Sequence, residues 1–232
     1  MKLSIVIPVY NEEMTIGELL ERVVRLGLPD IEREIIVAND GSTDASALAI
    51  AEQQLKRPDL IQTYSMPINL GKGAAVRLGL HHATGDVLLI QDADLELDPS
   101  EYGRLVQPIV DGKTDVVYGS RFLNAPKRNI PLRSRLANRF LTGLTNVLFG
   151  TRLTDMETAY KVFRREMLQG VKLRCVHFDF EPEITGQLAK RGHRIVEVPI
   201  SYNPRRANEG KKISWVDGVE AIYTLLRVRF AH

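Results

Sequence analysis

Three apolar runs and one weaker, mixed run in the first half of the chain each precede a polar turn, and three of those turns lead into stretches of helical spacing. Leu3 to Val9 ends at Tyr10-Asn11-Glu12, after which Ile16, Leu19, Leu20, Val23 and Val24 recur at helical intervals as far as Gly27-Leu28-Pro29. Glu34 to Ala38 ends at Asn39-Asp40-Gly41-Ser42-Thr43-Asp44, where Ser or Thr can cap a helix over Ala45 to Lys56. Leu60 to Ser65 is followed by Asn69-Leu70-Gly71-Lys72-Gly73 and a helix from about Ala74 to Ala83. The fourth run, Val87 to Ile90, meets Gln91-Asp92-Ala93-Asp94-Leu95-Glu96. Strands alternating with helices predict an α/β fold, a mostly parallel sheet flanked by helices, whose ligands gather at the carboxyl ends of the strands.

That rule sets three acidic turns along one edge of the sheet. In an extended backbone alternate side chains share a face, so Asp92, Asp94 and Glu96 are expected to present three carboxyl groups together. Oxygen ligands with no His or Cys beside them suit Mg²⁺ or Mn²⁺ better than Zn²⁺, and such cations keep positions open for substrate phosphates. The competing reading is a turn that merely solvates the end of a buried strand. A divalent cation carrying a nucleotide diphosphate would balance the three turns, leaving Glu12 and Asp40 free to accept hydrogen bonds from a base or a ribose. Taken singly, each turn also reads as ordinary helix capping. Gly71-Lys72-Gly73 sets a cation before a helix amino terminus, which is either a place for a phosphate oxygen or a plain turn with a solvated lysine. Neither G-x-G-x-x-G after the first strand nor G-x-x-x-x-G-K-[ST] occurs, which argues against dinucleotide and P-loop sites.

The 232 residues suffice for one α/β domain with a full core. With 31 Lys and Arg against 29 Asp and Glu, the net charge of +2 speaks against a globally basic, nucleic-acid-binding surface. The single Cys175 permits no internal disulfide and suits a reducing cytoplasm. Lys2 ahead of an apolar run mimics a leader, but Pro8 and Asn11-Glu12-Glu13 mark a first strand instead. No stretch approaches the roughly 20 apolar residues that cross a bilayer. Phe140 to Phe149 is interrupted by Thr142, Thr145 and Asn146, so a soluble or peripheral protein is expected.

In the second half, Asp115 to Gly119 reads as a strand that delivers Ser120-Arg121 to the ligand edge. Arg128, Arg133, Arg135 and Arg139 precede or enter an amphipathic helix bearing Leu136, Phe140, Leu144, Val147 and Leu148. Arginines there either clamp an anion bidentately or form a solvated face. Asp155 precedes a strand over Thr158 to Phe163, and Ile195 to Tyr202 is another. Arg205-Arg206 and Lys211-Lys212 flank Gly210 in a loop able to close over a phosphate. The last helix, about Trp215 to Arg229, carries Val219, Ile222, Tyr223 and Leu226 on one face, fit for core packing or for a membrane surface.

The segments Pro8-Val9-Tyr10-Asn11-Glu12, Asn39 to Asp44, Asn69 to Gly73 and Gln91 to Glu96 come in the order and spacing of family 2 glycosyltransferases of the GT-A fold. Gly119-Ser120-Arg121, Asp155-Met156-Glu157-Thr158-Ala159-Tyr160-Lys161 and the late basic segment extend the resemblance over nearly the whole chain. Within that family the chain resembles the polyprenyl-phosphate sugar synthases, relatives of dolichyl-phosphate mannose synthase and dolichyl-phosphate glucosyltransferase. The resemblance implies one Rossmann-like GT-A domain over 1–232, with a nucleotide-sugar half at 1–98 and an acceptor-side half at 99–232. It implies that Pro8, Tyr10, Glu12 and Asp40 hold the nucleoside, and that Asp92 and Asp94 bind the metal on the donor diphosphate, with Glu96 where relatives often carry Gln. Asn39 departs from the pattern, since many relatives have a second acid there.

Joined to the basic positions, this assigns Lys72 to the donor phosphates and Arg121, Arg133, Arg205, Arg206 and Lys211 to an acceptor phosphate. The implied activity is metal-dependent, inverting transfer of a hexose from a GDP-mannose or UDP-glucose type of donor to dolichyl or undecaprenyl phosphate. The implied location is peripheral, at the cytoplasmic face of the membrane, with a partner membrane protein or a homo-oligomer left open. A phosphate monoester is mostly dianionic at pH 7, so that acceptor needs orientation by Arg and Lys more than a base. Asp155 is the candidate if a base is needed, and a cap before the next strand if not. Two rivals fit the same residues: transfer to a glycan or glycolipid hydroxyl, which requires a base, and a nucleotide-sugar sensor without turnover.

Overall fold

Residues 3–9 are all buried, a continuous run rather than an alternating one, as befits a strand covered on both faces. The computed structural model describes residues 1–123, 130–204 and 215–230. Its strands are β1 (Lys2–Val9), β2 (Glu32–Asn39), β3 (Ile61–Ser65), β4 (Val87–Ile90), β5 (Val116–Ser120), β6 (Lys161–Arg164) and β7 (Ile195–Pro199). The helices are α1 (Ile16–Arg25), α2 (Ser46–Lys56), α3 (Lys72–His82), α4 (Tyr102–Val110), α5 (Leu132–Phe149), α6 (Phe180–Lys190) and α7 (Trp215–Phe230).

One sheet holds all of these strands in the order β3-β2-β1-β4-β6-β5-β7. β6 alone runs antiparallel, pairing Leu88 with Phe163 on one side and Val117 with Val162 on the other. Because the chain reverses once into β6 and once out of it, β5 and β7 point the same way as β1, β2 and β4.

Side chains of β1 alternate between two cores. Leu3, Ile5 and Ile7 pack with Leu19, Leu20 and Val23 of α1 and with Leu105 and Ile109 of α4. Val6 faces the other side with Val76 of α3 and Phe180, Ile184 and Leu188 of α6. A Cβ on Gly79 would lie 2.4 Å from Val6, so the absence of a side chain there lets α3 sit directly on the sheet. A third cluster, Leu141, Met156, Ala221 and Leu225, joins α5 to α7.

At the edge opposite the polar turns, Glu34 fastens β2 to β1 and to the loop ahead of β4. Its carboxylate accepts from Ser4 Oγ at 2.5 Å, Thr84 N at 2.7 Å and Thr84 Oγ1 at 2.8 Å, and pairs with Lys2 Nζ at 2.6 Å. Burial opposes its charge, but Lys2, Ser4 and Thr84 outweigh it and hold the pKa at about 2, against an ordinary 4.5. The folded value lies below the unfolded one, so this stabilisation is full above pH 4.5 and drains away as the pH falls toward 2. It amounts to about 3 kcal/mol. Urea unfolding followed from neutral to acid pH should show that loss, and Glu34→Gln should be less stable at pH 7 with a flatter acid limb.

Candidate active site

Given those strand directions, the carboxyl ends of β1, β2, β4, β5 and β7 and the amino end of β6 share one edge. The first two turns are laced together there. Asn11, at φ 51°, accepts from Thr43 N at 2.8 Å, and Glu12 N donates to Ser46 Oγ at 2.8 Å. Pro8 is buried within β1, while Tyr10 and Glu12 are half-buried just beyond it. Asp40 departs from expectation. Instead of standing free for a base or ribose, its two carboxylate oxygens accept from Leu70 N and Gly71 N, both at 2.8 Å, and the residue is 2% exposed. Asp40 therefore shapes the loop that carries Lys72.

That loop leans on the segment before α6. Gly71 takes φ 115°, and a Cβ on it would lie 2.4 Å from Val176 O, so glycine is required for conformation and for space alike. The first N–H groups of α3 are spent: Gly73 N donates to His177 O at 2.7 Å and Ala74 N to Val176 O at 3.0 Å. The expected phosphate seat at this helix terminus is thereby corrected, since protein carbonyls occupy it. What the loop offers is Lys72 itself, whose Nζ stands 2.7 Å from Asp92 and 2.8 Å from Glu181. Burial opposes the ammonium charge, yet Asp92 and Glu181 outweigh it and raise the Lys72 pKa above its ordinary value.

The metal turn also differs from its forecast. β4 ends at Ile90 and the chain turns at once, with Leu95 at φ 60°, so Asp92, Asp94 and Glu96 do not alternate along an extended strand. Gln91 anchors the turn, its Oε1 accepting from Tyr102 OH at 2.8 Å and Tyr160 OH at 2.7 Å. Asp94 accepts from Glu96 N at 3.1 Å. Glu96 accepts from Tyr202 OH at 2.7 Å, tying the turn to the chain after β7. Among the described residues no three His, Cys, Asp or Glu side chains form a metal-holding group. The donor set of Asp92 and Asp94 is all oxygen, which fits a hard divalent cation completed by substrate phosphates and water.

On the far side, Arg121 leaves β5 and meets Asp155 in a bidentate pair, Nε to Oδ2 at 2.7 Å and Nη2 to Oδ1 at 2.8 Å. Asp155 also accepts from Arg121 N at 3.0 Å, and it is wholly buried. Burial opposes the guanidinium charge, but Asp155 more than offsets it and raises the Arg121 pKa. Glu197 of β7 in turn accepts from the N–H of Asp155 at 2.9 Å and of Thr154 at 2.8 Å. An Asp sealed from solvent with both oxygens occupied is a poor base; its evident work is to aim Arg121. Arg133 lies exposed in the first turn of α5, on a separate element. Arg205, Arg206 and Lys211, with Arg128, fall outside the described residues.

Three charged groups of this site escaped sequence reasoning. Glu181, in the first turn of α6, pairs with Lys72 across more than a hundred positions of sequence, a juxtaposition no local pattern announces. Lys161 is fully buried, donating to Met156 O and Thr158 O at 2.7 Å each and lying 4.2 Å from the centre of the Tyr118 ring. Burial pushes the Lys161 pKa down, and burial with Glu181 pushes that of Glu157 up.

The sequence model of the family described as "Glycosyl transferase family 2" matches residues 4–171. A dolichol-phosphate mannosyltransferase from Pyrococcus furiosus is 29% identical over 91% of this chain and 59% of its own length. A dolichyl-phosphate beta-glucosyltransferase from Trichomonas vaginalis is 30% identical over 97% of this chain and 72% of its own length. The chain spans only 34% of another curated relative. Among solved structures, glucosyl-3-phosphoglycerate synthase from Mycobacterium tuberculosis, crystallised with Mn²⁺ and UDP, superposes with a TM-score of 0.74 at 20% identity, covering 98% of this chain and 80% of that one. The fold is therefore GT-A.

If Asp155 holds Arg121, then Asp155→Asn strands a mostly buried guanidinium and should cost about 3 kcal/mol or more. A lower urea midpoint at constant slope would report it. Adding Arg121→Met should recover part of the loss, because no uncompensated cation remains; simple addition of two losses would contradict the pairing.

Proposed function

Because this chain belongs to glycosyl transferase family 2, we propose that it moves a hexose, with inversion, from a nucleotide sugar to a polyprenyl phosphate at the cytoplasmic face of a membrane. The observation that carries this reading is the presence of two separately held cations, an ammonium and a guanidinium, at two stations on one edge of the sheet. Lys72 stands with Asp92 and Glu181 on the donor side, and Arg121 stands with Asp155 on the other. Two anions brought close together need separate counter-charges, and a transfer between two phosphates calls for such a pair. The names of the relatives, a dolichol-phosphate mannosyltransferase and a dolichyl-phosphate beta-glucosyltransferase, support a polyprenyl-phosphate acceptor, and a donor of the GDP-mannose or UDP-glucose type is part of the proposal.

Asp92 and Asp94 would hold Mg²⁺ or Mn²⁺, which when bound screens charge developing on the leaving diphosphate. Lys72 keeps its proton and adds a second positive charge beside Asp92. Arg121 has more N–H donors than Asp155 takes, and those remaining orient the acceptor phosphate. A phosphate oxygen then attacks the anomeric carbon from the side opposite the diphosphate. The new C–O bond forms as the old one breaks, and no proton need move, which agrees with the occupied state of Asp155. A hydroxyl acceptor would require a free base, so this geometry favours the phosphate.

The membrane side of the proposal rests on α5, which buries polar side chains beside Leu141 and turns several large apolar ones outward. Asn138, Thr142 and Thr145 are buried, while Leu132, Leu136, Phe140 and Val147 are exposed. The inner polar face has work to do: Thr142 Oγ1 accepts from Met156 N at 3.0 Å, beside Asp155. In α7 the expected apolar face is not the packed one: Ala221, Leu225 and Val228 are buried, while Val219, Tyr223 and Leu226, with Trp215, are exposed. Among the described residues no helix is long and apolar enough to cross a membrane. These outward side chains, with Arg133 and Arg139 beside them, suit an anionic leaflet.

Purified protein with Mn²⁺ and radiolabelled UDP-glucose or GDP-mannose should move label into organic-extractable lipid when polyprenyl phosphate is supplied in anionic vesicles. The pair Leu136→Ser and Phe140→Ser should lower that transfer on the order of tenfold, yet spare a short, water-dispersed polyprenyl phosphate. Label in a hydroxyl acceptor only, or no transfer at all, would overturn the reading.

A further inference from the structure

Two consecutive residues between Asp155 and β6 carry buried polar atoms without a hydrogen-bond partner, Glu157 Oε1 and Thr158 Oγ1. Thr63 Oγ1 is the one other such side-chain atom among the described residues, so polar groups are otherwise satisfied. An orphaned carboxylate oxygen is costly, and it is retained where a ligand supplies the missing donor.

Glu157 lies within electrostatic reach of both stations. Lys161 and Arg121 attract it, whereas Glu181 and Asp155 repel it. Glu181 is the residue that grips Lys72 at 2.8 Å, and Arg121 with Asp155 forms the acceptor side. On the proposed reading, the group in transit moves between the Lys72 side and the Arg121 side, whose charged residues are those that act on Glu157. The backbone around Glu157 is held firmly: Asp155 N donates to Glu197 at 2.9 Å, Met156 N to Thr142 Oγ1 at 3.0 Å and Glu157 N to Asn138 Oδ1 at 3.4 Å.

Resting on the transferase reading, we infer that Glu157 selects the donor sugar, its Oε1 accepting a hydrogen bond from one hydroxyl of the hexose being transferred. The negative charges of Glu181 and Asp155, which already act on Glu157, would repel a phosphate there, whereas a sugar hydroxyl brings a neutral donor. Sites built around a buried hydrogen bond to a hydroxyl reject analogues that lack it, because the site's own polar group is then left unpaired.

Calorimetry with Mn²⁺ measures how much tighter UDP-glucose or GDP-mannose binds than UDP or GDP, and how each monodeoxy donor compares. In the unaltered protein one deoxy donor should bind on the order of tenfold more weakly than its parent. Glu157→Ala should abolish that difference and leave nucleoside diphosphate affinity within about twofold. Glu157→Gln, whose amide oxygen still accepts, should restore most of it. An unchanged deoxy profile in a folded Glu157→Ala protein would overturn the inference and leave Oε1 to an ordered water; equal collapse in both variants would overturn it in favour of a charge effect. The readout needs no acceptor, so failure of lipid transfer would sink the proposed reaction without moving this result.

Discussion

The ammonium of Lys72, 2.7 Å from Asp92 and 2.8 Å from Glu181, is the contact on which the site's geometry depends. It joins the start of α3, the turn after β4 and the first turn of α6, three pieces that are far apart in sequence. A mostly buried cation between two carboxylates is stable only if both are kept in place. Asp40 supports the loop from below through Leu70 N and Gly71 N, and Gly71 lets it approach Val176. From the other side, Asp179 accepts from Val176 N at 2.9 Å, and Glu183 accepts from Cys175 N at 2.7 Å. Two carboxylates against one ammonium leave a surplus negative charge, which suits the arrival of a divalent cation with its diphosphate.

The Arg121 and Asp155 pair is built differently. There one carboxylate satisfies one guanidinium, and Glu197 secures the turn by accepting from its backbone N–H groups. The pair is locally neutral, so an approaching phosphate meets an oriented cation whose own counter-charge is already settled. α5 touches that turn with Asn138 and Thr142 while turning Leu136 and Phe140 outward. The surface proposed to meet lipid and the turn that holds Arg121 are thus two faces of one helix.

The sheet edge was legible because strand ends and polar turns are local patterns: Asn11, Asp40, Asp92 and Arg121 all fall on it. Local patterns do not say what each side chain touches once folded. Asp40 and Asp155 read as groups aimed at a ligand, yet both point into the protein, because an adjacent loop N–H or guanidinium takes the oxygen first. The extended-strand argument for Glu96 failed at Leu95, whose positive φ breaks the alternation. α4 and α6 were not expected from the sequence; Pro108 inside α4 is a residue that usually interrupts helical spacing, whereas Pro182 stands in the first turn of α6, where proline is tolerated. Lys161 sits in a strand that begins three residues later than the apolar pattern suggests, because the carbonyls of Met156 and Thr158 turn inward to receive it.

The separation of the two stations is the central claim, and Arg121→Ala tests it most directly when nucleotide binding and lipid transfer are measured on the same preparation. Loss of a charge-assisted contact to the acceptor should slow transfer roughly tenfold to a hundredfold, while calorimetric affinity for the donor nucleotide stays close to normal. An equal loss in both would place Arg121 on the donor and contradict the account.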